Sequence, residues 1–136
     1  ILKAQSAVVG GEGNGGIIVR DFHYGRDALI GIGLFLTHLG QTGHSMIGLR
    51  ASYPQYEMIK DKINLAPVLN LEERLQHLEH VFQSEDCNTI DGLKINFDRG
   101  WVHLRKSNTE PIIRVYAEAP DAATAQDLVN QVKRDF

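Results

Sequence analysis

Residues 91–119, DGLKINFDRGWVHLRKSNTEPIIRVYAEA, hold three strand-like runs joined by two very different connections. The runs are Gly92–Phe97, Trp101–Leu104 and Ile112–Ala117, each alternating apolar with polar residues over much of its length. Asp98-Arg99-Gly100 between the first two is a tight hairpin signal. Three strands joined this way predict an antiparallel sheet with one buried face. The second connection, Arg105 to Pro111, is longer than a turn needs. It holds two cations, two hydroxyls, an amide and a proline, and almost nothing apolar.

Working outward, Asp121 caps a last helix with Ala125, Leu128, Val129 and Val132 facing inward. Upstream, Asn70 caps a helix with Leu71, Leu75, Leu78 and Phe82 on one face. Before that, Tyr56, Met58 and Ile59 lead into a strand reaching Ile63. This half reads β-α-β-β-β-α, an α+β domain with helices on one face of an antiparallel sheet. The segment Ser52–Tyr56 reads as a linker, because Pro54 interrupts the helical pattern and the periodicity changes after it. Two domains are therefore expected, 1–53 and 54–136.

The first half is built differently. Ala7–Gly10, AVVG, reads as a buried strand, and Ile17–Val19 as a second short apolar run. Asp27 caps a helix to Leu39, with Leu29, Ile32, Leu36 and Leu39 on one face and Gly40 as its stop. Ser45 caps a further short helix through Arg50. This part reads as an incomplete α/β domain. The chain opens within a strand-like run and has no initiator Met, so it reads as a piece of a longer protein.

Composition narrows the function classes. With 43% apolar and 23% charged residues, the 136-residue chain has the profile of a soluble globular protein. Its formal net charge of −3 argues against generic nucleic-acid binding, which needs a broad basic surface. No apolar run reaches the roughly 18 residues that span a bilayer. The single Cys87 excludes an internal disulfide and fits a reducing, cytoplasmic setting. Neither nucleic acid nor membrane is expected as a partner.

Two segments carry candidate chemistry. In Arg105–Pro111, the Arg105 fork, the Ser107 and Thr109 hydroxyls and the Asn108 amide could together satisfy most oxygens of one phosphate. Lys106 should point to the opposite side if strand geometry persists. The competing reading is a solvated strand connection. In Gly10–Gly16, GGEGNGG, a carboxylate (Glu12) and a carboxamide (Asn14) stand among five glycines, a pairing suited to adjacent sugar hydroxyls. The segment lacks the Gly-Lys-Ser/Thr ending of a Walker loop. Its competing reading is a flexible turn.

Other candidates weigh less. His77 and His80, beside Glu73 and Glu79, fit a solvated helix face better than a metal site, since no third ligand is evident. His23 and Arg26 are better placed to order the glycine segment from behind than to contact a substrate. Cys87 reads as structural, and Trp101 as core or strand packing. Arg114 either pairs with a carboxylate such as Glu118 or backs up the phosphate site.

Both segments, in this order, resemble the α-D-phosphohexomutase family. GGEGNGG resembles that family's sugar-binding loop. RKSNTEPIIRVYAEA resembles its C-terminal phosphate-binding loop with the following strand, and DGLKINFDRGWVHLR its lead-in. The resemblance covers essentially the whole chain. It implies the end of a third, α/β domain followed by a fourth domain like the TATA-binding protein. It also implies a reaction in which hexose 1-phosphate and 6-phosphate interconvert through a phosphoserine enzyme and a bisphosphorylated sugar. Glu12 and Asn14 would contact the sugar, and Arg105, Ser107, Asn108 and Thr109 the phosphate. Asn14 stands where many members have Ser, and Lys106 where many have Pro or Ala. The phosphoserine loop and the Mg²⁺-binding loop are absent from these residues. Nucleophile and metal ligands would therefore lie in N-terminal domains, and this piece alone would be inactive. Mannose, glucose and glucosamine phosphates all fit. A rival from a different class is a non-catalytic phosphate-binding module.

Overall fold

The computed structural model describes residues 2–11, 16–65 and 70–136. The chain divides into two compact units, Ile1–Pro54 and Gln55–Phe136.

The first unit contains β1 (Val9–Gly11), β2 (Ile17–Val19), α1 (Ala28–Thr42) and α2 (Met46–Ser52). The two strands pair antiparallel, Val9 opposite Val19 and Gly11 opposite Ile17. Asp27 caps α1 by accepting from the N–H groups of Leu29 and Ile30. The Ile30 N–H first, then the His23 side chain and the Leu29 N–H, hold the Asp27 carboxyl below its usual range. Ser45 caps α2 by accepting from Gly48 N–H. Gly31 lets α1 lie close to β2, since a Cβ there would sit 3.0 Å from Ile17 Cγ1.

Two expectations need correction. α1 does not stop at Gly40. It runs on to Thr42 and ends at Gly43, whose φ of 65° is the left-handed conformation a helix C-terminus favours. The AVVG run is not buried, since Val8 and Val9 are about half exposed. The apolar face of α1 is also open, with Leu29 81% exposed and Ile32 and Leu36 more than half exposed. A two-stranded ribbon of three-residue strands has too little surface to cover a 15-residue helix.

The second unit contains β3 (Glu57–Asn64), α3 (Leu71–Val81), β4 (Asp86–Asn88), β5 (Leu93–Phe97), β6 (Gly100–Lys106), β7 (Ile112–Ala119) and α4 (Ala122–Asp135). Its strands form one antiparallel sheet in the order β3-β7-β6-β5-β4. The short edge strand β4 was not expected. Its residues Asp-Cys-Asn carry no β signal, and it exists because Cys87 pairs with Ile95 of β5.

Register explains the core. Ile95, Val102, Ala117 and Ile59 line up across β5, β6, β7 and β3. Because side chains alternate faces along a strand, this row and the Leu93–Leu104–Val115 row share one side. Leu78 of α3, Phe82 just after it, and Ala125, Leu128, Val129 and Val132 of α4 pack there. Leu78, Leu93, Leu104 and Leu128 are fully enclosed, and burying each stabilises the fold by about 1.5–3 kcal/mol. Asp61 breaks the apolar pattern of β3. Lys133 reaches it at 2.8 Å, and that hydrogen bond lowers the Asp61 pKa. The opposite side of the sheet carries Lys60, Lys62, Trp101, His103, Arg105, Arg114 and Tyr116.

β6 is longer than its apolar run suggests. It continues through Arg105 and Lys106, so the polar connection proper is Ser107–Pro111.

Candidate anion site

The end of β6 meets the start of β7 at the polar connection. Ser107 N–H donates to the Ile112 carbonyl, 3.0 Å. Ile112 N–H donates to the Glu110 carbonyl and Leu65 N–H to the Pro111 carbonyl, 2.8 and 3.0 Å. These bonds close the loop and tie it to the end of β3. Ser107 is only 6% exposed, and its Oγ accepts a long bond, 3.5 Å, from Thr109 N–H. Its hydroxyl proton remains a donor. Asn108 and Thr109 are exposed.

Arg105 lies directly opposite Arg114 in the β6–β7 register, and Arg114 directly opposite Lys62 in the β3–β7 register. Three cations thus form one cross-strand row, with neighbouring strands about 4.8 Å apart. Like charges facing each other across strands repel. Two carboxylates at the rim relieve this. Asp91 Oδ2 is 2.9 Å from Arg105 Nε, and Glu110 Oε2 is 3.8 Å from Arg114 Nη2. Arg114 therefore pairs with Glu110. Glu118 instead accepts from Trp101 Nε1–H at 3.2 Å. With three cations against two carboxylates, the row keeps an excess of positive charge.

Lys106 shares its strand parity with the buried Val102 and Leu104 and pairs in register with the buried Ile113. It therefore leaves the strand on the other side from Arg105. Trp101 is strand packing rather than core. It is half-buried on the open side of the sheet, with the Lys94 ammonium 4.8 Å from its ring centroid.

Glu12 and Asn14 lie outside the described residues. The strands on either side of their segment pair as a ribbon. His23 is tied to the turn that leads into α1. Its Nδ1 accepts from Gly25 N–H, 3.0 Å, and its Nε2 sits 3.2 Å from Asp27 Oδ2. It shapes the turn that starts α1. Arg26 lies in the same turn.

Sequence models for two successive domains of one family match the chain. The phosphoglucomutase/phosphomannomutase alpha/beta/alpha domain III matches residues 1–56, and the C-terminal domain of the same family matches residues 60–134. The chain belongs to the phosphoglucomutase/phosphomannomutase family. It is 37% identical over 132 residues to a phosphoglucosamine/phosphogalactosamine mutase of Sulfurisphaera tokodaii, covering 96% of this chain and 29% of that protein. It is 33% identical over 136 residues to a phosphoglucomutase/phosphomannomutase of Thermococcus kodakarensis, covering 94% and 28%. A crystal structure of a phosphoglucomutase/phosphomannomutase family protein from Burkholderia thailandensis superposes with a TM-score of 0.70 at 22% identity, covering 98% of this chain and 29% of that one. The chain thus spans under a third of the length of these relatives.

Within this family piece, sequence reasoning missed Asp91 and Lys62. Asp91 opens the segment that resembles the family's lead-in, but nothing in its own residue type marks it as an arginine's partner, and Lys62 belongs to no named motif. Only strand pairing brings Lys62 beside Arg114, and only the turn before β5 brings Asp91 to Arg105.

The remaining candidates do not gather into a site. His77 and His80 are exposed on α3, and no cluster of three His, Cys, Asp or Glu able to hold a metal occurs among the described residues. No described helix is long and apolar enough to cross a membrane. Cys87 Sγ lies 3.5 Å from the Phe82 carbonyl. Burial first, then the nearby Glu79, Asp86 and Glu85, push its thiol pKa up. A raised pKa lowers the thiolate fraction. Cys87 is therefore expected to alkylate with iodoacetamide several-fold more slowly than free glutathione at pH 8. A faster rate would show that the thiol is activated.

Proposed function

We propose that this chain is the C-terminal part of a phosphohexomutase. The complete enzyme interconverts the 1- and 6-phosphates of a hexose or hexosamine through a phosphoserine enzyme and a bisphosphorylated sugar. Here Arg105, Ser107, Asn108 and Thr109 hold the phosphate that is not being transferred. Glu12 and Asn14 take the sugar hydroxyls. The observation that carries this reading is the facing pair Arg105 and Arg114 at the end of the Ser107–Pro111 loop. Two guanidinium groups held side by side, next to hydroxyl, amide and backbone donors, match the charge and the oxygens of a phosphate.

The arrangement suits a bisphosphate that must turn over between two transfers. Either phosphate can occupy a site made of general donors, because nothing in it reads the sugar carbon that bears the phosphate. Binding energy at the remote phosphate then helps to position the reacting one. The Mg²⁺ that the resemblance implies does not fit the described residues, which offer no cluster of carboxylates to hold it. Its ligands and the nucleophilic serine belong to the N-terminal domains, and the chain alone is inactive. The names of the relatives carry both neutral and amino sugars, so glucosamine, glucose and mannose phosphates form the substrate set to assay.

An NMR titration of the 136-residue chain with inorganic phosphate tests the site. Shifts should cluster at Arg105–Thr109 and Arg114, with a dissociation constant of about 1 mM or weaker, because the other walls of a binding cleft are missing. They should shrink with added salt. Shifts centred on His77 and His80 would place anion binding elsewhere and overturn the assignment.

A further inference from the structure

We propose that Asp91 is a positioning residue for Arg105, holding the guanidinium so that its two terminal amino groups face the anion. The inference rests on the phosphate-site reading above and deepens it. It starts from the ion pair itself, which runs from Asp91 Oδ2 to Arg105 Nε at 2.9 Å. Nε lies on one flank of the planar guanidinium. A carboxylate engaged there fixes the plane and leaves the opposite, two-pronged edge for a phosphate.

The carboxylate is held in place by a built turn. Ile90 N–H donates to Asn88 Oδ1 at 3.0 Å, which bends the chain after β4. His103 Nε2 is 2.6 Å from the Asp91 carbonyl oxygen. A carbonyl can only accept, so Nε2 carries the proton and donates. Gly92 follows with a φ of 75°, and a Cβ there would sit 2.1 Å from the Leu104 carbonyl oxygen. The backbone at Asp91 and Gly92 is therefore tied to β6, the strand that carries Arg105. Both Asp91 and Arg105 are more than half exposed. Such a pair adds little to stability, so the turn is better explained by what it does to Arg105. An exposed arginine otherwise samples many rotamers, and a phosphate would have to order it on binding.

Inorganic phosphate binding by the chain, followed by NMR, tests the proposal. Asp91→Ala is expected to weaken binding about three- to tenfold, the range set by ordering one long side chain. Asp91→Asn keeps an oxygen that can accept from Nε and should stay within about twofold of wild type. Asp91→Ala should cause no further loss in an Arg105→Ala background, because its action passes through Arg105. The Arg105 Nε–H resonance should shift and broaden in Asp91→Ala and remain sharp in Asp91→Asn. If Asp91→Ala fails to fold, Asp91→Glu decides, since it keeps the charge but displaces the carboxylate by one methylene. It should also bind more weakly, and wild-type affinity for it would overturn the proposal. Unchanged or tighter binding by a folded Asp91→Ala, with binding still lost in Arg105→Ala, would overturn the positioning role and leave the phosphate site standing. Unchanged binding in Arg105→Ala would remove the site and this inference together.

Discussion

Replacing Arg105 by alanine in the complete enzyme is expected to lower kcat/KM by roughly 30- to 1000-fold. Replacing Lys106 should lower it less than about threefold. The two residues are adjacent in sequence and equal in charge, so net electrostatics alone predicts similar losses. Strand geometry separates them. Arg105 shares the open side of the sheet with Arg114 and Lys62, while Lys106 leaves the strand on the side of Leu104 and Ile113. Arg105→Ala removes two charge-assisted hydrogen bonds to the held phosphate, together about 2–4 kcal/mol of transition-state binding. Lys106→Ala removes only a distant, screened charge. The measurement is steady-state kinetics of both variants with the same hexose phosphate. Equal losses would mean that the loop is entered from the other side or that charge alone matters.

Gly92→Ala is expected to destabilise the second unit by about 3–4 kcal/mol, since it combines a strained backbone with a core-adjacent clash. For a unit of this size, that corresponds to a fall in Tm of about 15–25 °C. The φ of 75° at Gly92 is unfavourable for any residue with a Cβ, by about 1–2 kcal/mol. The added methyl would also meet backbone atoms, the Leu104 carbonyl and Arg105 Cα, which cannot rotate away. Relief requires the start of β5 to move off β6, which opens the edge of the core at Leu93 and Leu104 and withdraws Asp91 from Arg105. Calorimetry or circular dichroism on the purified variant reads the effect. A melting point within about 3 °C of wild type would show that Gly92 does not approach β6 this closely.

The helix starts were legible in the residues. Asp27, Ser45, Asn70 and Asp121 each cap the helix that follows. A cap is a contact between a side chain and a backbone group two or three residues on, so it is written locally. The inward faces of α3 and α4 were legible for the same reason, because helical spacing alone sorts Leu78, Leu128 and Val132 to one side. The hairpin from β5 to β6 followed from Asp98-Arg99-Gly100.

The failures share a cause. α1 has the same apolar spacing as α4, yet Leu29 and Ile32 are exposed while Leu128 and Val129 are enclosed. Periodicity states which face would be buried, and only a facing layer can bury it. β4 was invisible because pairing with β5, rather than propensity, makes Asp86–Asn88 a strand.

The candidate site divides along the same line. By itself the sequence determined its chemistry, since Arg105, Ser107, Asn108 and Thr109 fall within five consecutive positions, and the separation of Arg105 from Lys106 follows from strand alternation. The tertiary structure alone decided that Arg114 and Lys62 stand in one row with Arg105, and that Asp91 holds its Nε. Those partners are brought together by the register of β3, β7 and β6 and by a turn pinned to β6. Register depends on which faces can be buried against α3 and α4, a property of the assembled unit that no short stretch of residues contains.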